Sequence, residues 1–248
     1  MHELLRSAQR SSAELLLPVA CVSCERLVAA SDNGIVCGLC LSRLPWLPSP
    51  QCDRCGHPRR AGECAWCELL PPYVRAARSV CWLPGVASSE IVHALKYGGW
   101  TRVAGEMALR MSRLAWPADV VAERAALIPV PLSRSRQRER GYNQSGLLAC
   151  ALAEHWNVPV WNDAIRRCRD TRSQTELTPG ERLGNLAGSI AASESRSKDV
   201  AGAHLVIVDD VVTTASTLNA CAKALFEGGA RIISYVTFGR ARASGDRL

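Results

Sequence analysis

Eight cysteines between residues 21 and 67 fall as four Cys-x-x-Cys pairs: Cys21 and Cys24, Cys37 and Cys40, Cys52 and Cys55, Cys64 and Cys67. Nothing else in the chain restricts its fold as tightly. Two residues between thiolates let one tight turn aim both sulfurs at a single ion, and two such turns complete the tetrahedral shell of a structural zinc site. Eight thiolates therefore imply two Zn2+ ions. Disulfides are the weaker reading. Nothing near Met1 resembles a secretory signal, the longest apolar run there being the short AELLLPVA; we therefore expect a cytoplasmic protein, and the cytosol keeps thiols reduced. Sequential pairing, with the first four cysteines as one ribbon and the last four as another, is expected because the 12 and 8 residues inside each set suit short hairpins. A cross-braced arrangement stays open on spacing alone. Gly38 and Gly56, beside ligand positions, fit the positive φ angles that such turns often need. His57 lies outside the Cys-x-x-Cys frame and reads as a bystander. With little apolar material between the pairs, this segment relies on metal for its fold. The single cysteines Cys81, Cys150, Cys168 and Cys221, in apolar or helical contexts, are expected to be small buried hydrophobes.

After residue 70 the pattern changes. LPPYVRAARS ends the cysteine pairs with two prolines, so residues 1–70 are expected to form a helix plus a double zinc ribbon and residues 71–248 a second domain. SSEIVHALKYGGWTRVAGEMALRMSRLA has helical periodicity, with Ser88 or Ser89 as N-cap and Gly98 and Gly99 as a break between two helices. Apolar strands then alternate with amphipathic helices: AALIPVPL, a helix over QSGLLACALAEHW, a short strand near VPVW, a helix over PGERLGNLAGSIAA, HLVIVDD, a helix over STLNACAKALFEGG, and RIISYVTFG. That alternation predicts an α/β fold, a parallel sheet flanked by helices. LVIV is apolar throughout, as a central parallel strand should be.

Ligands of open α/β sheets bind beyond the carboxyl ends of the strands, which is where Asp209 and Asp210 follow LVIV. Two adjacent carboxylates at the edge of an apolar sheet repel one another. The arrangement is tolerable when they accept hydrogen bonds from sugar hydroxyls or face a divalent cation. Thr213 to Thr217, TTAST, then offers hydroxyls and backbone N–H groups at a helix start, a ready anion site. An acid pair followed by a phosphate cradle describes a ribose 5-phosphate binder; the alternative is a strand end with an acidic cap and no ligand. The chain contains neither G-x-x-x-x-G-K-[ST] nor a G-x-G-x-x-G after a strand, which excludes Walker-type and dinucleotide readings. A formal charge of +7 suits phosphate-bearing partners without choosing among them. No window approaches the ~18 apolar residues of a membrane helix, so no membrane insertion is expected.

VIVDDVVTTASTL resembles the phosphoribosyl pyrophosphate signature of type I phosphoribosyltransferases. The whole chain resembles the ComF family of competence-associated, phosphoribosyltransferase-like proteins with an amino-terminal double zinc ribbon. The likeness rests on the cysteine pairs, ALKYGG at 94–99, IPVPLSRSRQRERGYNQ at 128–144, RDTRSQTEL with ERLGN within 169–185, and the signature itself. It implies a type I phosphoribosyltransferase fold, with Asp209 and Asp210 on the ribose hydroxyls, directly or near Mg2+, and Thr213, Thr214, Ser216 and Thr217 gripping the 5-phosphate. Ala215 stands where the family pattern usually has Gly, and its methyl group is expected to narrow the cradle or disfavour the loop's backbone angle. The resemblance places Arg134, Arg136, Arg138 and Arg140 on a pyrophosphate-contacting loop, with Arg140 among the catalytic candidates beside the two aspartates. Tyr142, Asn143 and Gln144 open the next helix, where Asn143 fits a cap. Arg167, Arg169, Thr171, Arg172 and Gln174 fall on the segment over the active-site mouth, and Lys96 is a further candidate. The implied reaction is Mg2+-assisted displacement of pyrophosphate from phosphoribosyl pyrophosphate by an unidentified acceptor. Two other functions fit the same residues: a competence factor that binds single-stranded DNA or a DNA-uptake helicase, and a non-catalytic transferase fold that binds a nucleotide as a regulator. Some relatives are linked instead to gluconate use.

Overall fold

The computed structural model describes residues 19–28, 35–59, 64–168 and 189–242. In chain order these form α1 (Gly38–Ser42), α2 (Ala65–Glu68), β1 (Val74–Leu83), α3 (Val86–Tyr97), α4 (Val103–Ser112), α5 (Ala118–Glu123), β2 (Arg124–Pro129), α6 (Arg134–Arg140), α7 (Gln144–Trp156), β3 (Ile165–Arg167), β4 (Ile190–Ala192), α8 (Ser197–Val200), β5 (His204–Val212), α9 (Ser216–Glu227) and β6 (Ile232–Ala241). The main sheet is parallel throughout, in the order β1-β6-β5-β2. β5, central and apolar, is buried along LVIV, as a strand covered on both faces must be.

β1 escapes the sequence pattern because Arg75 and Arg78 interrupt its apolar run. Both are accommodated. Arg75 reaches out to the Asp119 carboxylate at 2.5 and 2.8 Å. Arg78 is buried and donates to the carbonyls of Ala115, Ala77 and Asp53 at 2.8–2.9 Å. The outer edge of β1 is covered by the link between the two cysteine ribbons. There Trp46 bridges to Cys81, Trp82 N donates to Pro45 O at 2.8 Å and Leu47 N to Val80 O at 3.4 Å. Covering an edge in this way removes a template for aggregation.

The cysteine ribbons join opposite faces of the sheet. Cys21, Cys40 and Leu44 share a hydrophobic cluster with α3, α4 and α7. Cys55, Trp66 and Leu70 share one with α9, β3 and β4.

Several expectations are corrected. The helix before the Gly98-Gly99 break begins at Val86 with Gly85 as N-cap, a turn earlier than Ser88 or Ser89 would give. Ser88 is instead buried, with its hydroxyl on Trp82 O at 3.0 Å. Residues 190–192, read as the end of a helix, form a strand antiparallel to β3; residues 179–188 of PGERLGNLAGSIAA lie outside the described residues. VPVW contributes a single bridge, Val160 to Leu127. Cys81 and Cys221 are buried, but Cys150 and Cys168 are exposed. On α7 the inward face is Leu148, Ala149 and Leu152, and the 3.6-residue period turns Cys150 outward.

Candidate functional site

β2 stops at Pro129, opposite Val208, whereas β5 runs on beside β6 to Val212, opposite Arg240. The overhang leaves the last third of β5 with an open edge, and a cavity of about 380 Å³ lies there. Asp209 and Asp210 line it. They therefore sit within the strand, not after it, because pairing with β6 continues past them.

The acids are held by α3 and α7. Ser145 Oγ donates to Asp209 Oδ1 at 2.7 Å, and the Asp210 N–H donates to the same oxygen at 2.9 Å. Gln144 Nε2 donates to Asp210 Oδ1 at 3.3 Å, and Lys96 Nζ lies 2.5 Å from Asp210 Oδ2. Burial raises the Asp209 carboxyl to about 7, and the neighbouring Asp210 charge adds to this against the Ser145 hydroxyl and Lys96. One lysine thus faces two carboxylates, leaving a site suited to further positive charge or to hydroxyl donors. Asn143 is the N-cap that sets this end of α7, accepting from Ser145 N at 3.1 Å and donating to Val130 O at 3.0 Å. Tyr142 Oη donates to Leu95 O at 2.5 Å, fixing α3 and its Lys96 against α7.

Thr213, Thr214, Ala215, Ser216 and Thr217 line the same cavity and lead into α9. Thr214 Oγ1 and Ser216 Oγ lie 2.8 Å apart. The first N–H groups of a helix lack intrahelical partners, so this end of α9 offers donors and positive potential to an anion. Ala215 is the N-cap, in the left-handed region at φ 59° and ψ 2°. A Cβ disfavours that conformation by about 1–2 kcal/mol, which explains why a glycine suits this position.

Of the arginines, Arg136 and Arg167 line the cavity. Arg134 and Arg138 do not, and Arg140 lies 4.8 Å over the Tyr97 ring, donating to Gln144 Oε1 at 2.9 Å and Tyr97 Oη at 3.3 Å. The expected loop is helical here, with Ser133 as its cap. Alternate residues of a helix point some 200° apart, so four arginines at that spacing cannot face one cavity. Arg169, Thr171, Arg172 and Gln174 lie outside the described residues. Ser145 carried no signal in the sequence, since only the packing of α7 against β5 brings it to Asp209.

In the cysteine segment the sulfurs of Cys21, Cys24, Cys37 and Cys40 lie within 4.8 Å of one another, as do those of Cys52, Cys55, Cys64 and Cys67. The grouping is sequential. Tetrahedral sulfurs about 2.3 Å from an ion lie somewhat under 4 Å apart; Cys24 to Cys37, Cys52 to Cys67 and Cys55 to Cys64 measure 3.7, 3.5 and 3.3 Å. Backbone N–H groups point at sulfurs of both sets, from Cys37 to Cys21 at 3.3 Å and from His57 to Cys55 at 3.5 Å. Burial pushes the Cys21 and Cys52 thiols up, but such donors outweigh it and hold both at about 7. These donor sets fit structural zinc. Gly56 has φ 67°, and a Cβ there would meet Ala77 O at 2.3 Å. In the first ribbon the equivalent turn residue is Glu25, at φ 59°. Gly38 is not in the left-handed region and instead opens α1. His57 is outside both tetrads, its ring against Trp66 and Trp82 at 5.8 and 5.5 Å.

No helix among the described residues is long and apolar enough to cross a membrane. A phosphoribosyl transferase domain model matches residues 147–247, and a double zinc ribbon domain model matches residues 12–70. The DNA utilization protein YhgH of Salmonella typhi is 35% identical over 231 residues, covering 88% of this chain and 96% of that protein. Competence protein ComFC of Bacillus subtilis is 28% identical over 201 residues, covering 78% of this chain and 79% of that protein. Among solved structures, a hypoxanthine phosphoribosyl transferase of Trypanosoma cruzi is 24% identical, covers 58% of this chain and 66% of its own, and has a TM-score of 0.34. With a parallel sheet, two sequential cysteine tetrads and relatives matched over 79–96% of their own length, the chain belongs to the ComF family, whose type I phosphoribosyltransferase fold carries an amino-terminal double zinc ribbon.

Proposed function

We propose that the cavity at the end of β5 binds phosphoribosyl pyrophosphate with Mg2+, and that the chain is a phosphoribosyltransferase serving DNA uptake or use. The observation that carries this is one cavity lined at once by Asp209, Asp210, the 213–217 segment, Arg136 and Arg167. In this reading the first turn of α9 with Thr213, Thr214, Ser216 and Thr217 receives the 5-phosphate. Asp209 and Asp210 accept from the ribose hydroxyls, and Arg136 and Arg167 face the pyrophosphate. The carboxylates are hard oxygen donors of the kind Mg2+ takes, and when bound the ion supplies charge neutralisation on the pyrophosphate as it leaves. The acceptor's nucleophilic atom bonds to the anomeric carbon. The bond from that carbon to pyrophosphate breaks, its electron pair leaves with pyrophosphate, and the acceptor gives up a proton. Within the chain, the contribution is positioning and charge. Arg140 acts by orienting Gln144 against Asp210. The link to DNA uptake and use rests on the names of the relatives, a competence protein and a DNA utilization protein. We also assign residues 1–70 and 71–248 as the two domains, in keeping with the zinc ribbon match ending at residue 70.

Titration calorimetry with phosphoribosyl pyrophosphate and Mg2+ tests the reading. Binding by the wild type that is lost in Asp210→Asn is expected, and equal heats in both, or none in either, overturn it. The left-handed Ala215 favours a second reading, a transferase fold that binds a nucleotide without turnover. Pyrophosphate release in the presence of candidate acceptors separates the two.

A further inference from the structure

The two cysteine tetrads differ in what they touch. The second lies under the phosphate cradle. Asn219, on the first turn of α9, donates from its N–H to Ala215 O at 2.8 Å, closing the first helical turn after the cradle. Its side chain spans two other elements: Nδ2 donates to Leu69 O at 2.7 Å, two residues after Cys67, and Oδ1 accepts from Tyr235 Oη at 3.0 Å. Beneath it, Ala215, Val212 and Leu218 face Cys55, Trp66 and Leu70 around a small void of about 10 Å³.

Arg240 makes a second tie. It is 2% exposed, stands on β6 opposite Val212, donates to Cys55 O at 2.6 Å and lies 4.9 Å over the Trp66 ring. The turn holding Cys55 is thus fixed to the strand register three residues before Ala215. The cluster that contains Cys21 and Cys40 includes none of residues 213–218. A left-handed Ala215 needs its surroundings to over-determine it, and the second ribbon supplies part of them through Cys55, Trp66 and Leu70.

We propose that the second tetrad, Cys52, Cys55, Cys64 and Cys67, positions the phosphate cradle through Asn219 and the apolar cluster that Trp66 shares with Ala215, so that metal occupancy there sets the cradle's affinity for a phosphate monoester. Occupancy of the first tetrad does not. This rests on the reading of 213–217 as a phosphate cradle. Asn219 is a positioning residue and touches no ligand.

The test uses the zinc-loaded full chain, with hydrogen exchange of the 219–222 amides, which form the first bonded turn of α9, and calorimetric titration of ribose 5-phosphate. Asn219→Ala is expected to keep both zinc ions, to speed exchange at 219–222 and to weaken ribose 5-phosphate binding, each by about tenfold, a typical coupling strength. Cys67→Ser, which opens the second site to loss of its ion, is expected to speed exchange and weaken binding likewise, while Cys40→Ser leaves exchange in this segment unchanged. Unchanged exchange in Asn219→Ala, or equal loosening by Cys40→Ser, overturns the proposal. Should Cys67→Ser fail to fold, Asn219→Ala against Cys40→Ser decides. A wild type that does not bind ribose 5-phosphate removes the phosphoribosyl reading alone, since the exchange pattern still tests the coupling.

Discussion

Lys96 Nζ lies 2.5 Å from Asp210 Oδ2, and the carboxylate it neutralises is almost fully buried at the end of β5. Removing one partner of such a pair strands a charge out of water, which costs more than the pair itself contributes. Lys96 keeps some solvent contact, so Lys96→Met is expected to destabilise the chain by about 1–3 kcal/mol in urea unfolding. Lys96→Met with Asp210→Asn should recover most of that loss. Additive losses in the double variant would show that the two groups are not coupled.

Asp209 gives a pH dependence of defined sign. Burial, then the charge of Asp210, raises its carboxyl from 3.8 to about 7 in the folded chain. Between those values the folded state binds more protons than the unfolded state, so this group lowers stability as pH rises from about 4 to about 7 and adds no slope above that. Asp209→Asn keeps the acceptor for Ser145 and should flatten the decline between pH 5 and pH 8 by at least about 1 kcal/mol. Denaturant midpoints of both proteins at the two pH values measure it, and parallel declines refute it.

Ala215→Gly removes the methyl group from a left-handed backbone. The relief of about 1–2 kcal/mol is offset by the greater unfolded-state freedom of glycine and by one buried methyl worth about 0.8 kcal/mol. Net stability should therefore change by less than about 1 kcal/mol, whereas ribose 5-phosphate should bind severalfold more tightly because the cradle reaches its shape without strain. Weaker binding by the glycine variant would show that the methyl's packing in the cluster shared with the second ribbon matters more.

Gly56 and Gly38 make a paired test of the ribbons. A side chain at Gly56 meets Ala77 O at 2.3 Å and a φ of 67°, while one at Gly38 meets nothing within 4 Å. Gly56→Ala is expected to lose more than about 2 kcal/mol and to release zinc from the second site faster during chelator challenge. Gly38→Ala, in the first turn of a helix, should be neutral or slightly stabilising.

Sequence alone determined the features that local chemistry dictates. Cys-x-x-Cys spacing fixes eight sulfurs as two metal sites, although which pairs share an ion was decided by the folded ribbons; an all-apolar LVIV fixes a central parallel strand, and Asp209 to Thr217 fixes an acid pair beside a helix mouth. Ala215 was legible as a misfit only through the family resemblance, in which glycine usually stands there; the left-handed angle itself came from the structure. Contacts between distant segments were decided only by the tertiary structure. β1 stayed hidden because a buried Arg78 finds its carbonyl acceptors at Ala115 and Asp53, far away in the chain. Ser145 reached Asp209, and Lys96 reached Asp210, because α7 and α3 pack around the overhang of β5, 64 residues from Ser145 in the first case. The arginines between 134 and 140 were separated by a helical twist that charge and spacing on a presumed loop do not reveal. A period or a turn is written in neighbouring residues, whereas the partner of a buried charge is set by which surfaces the hydrophobic core brings together.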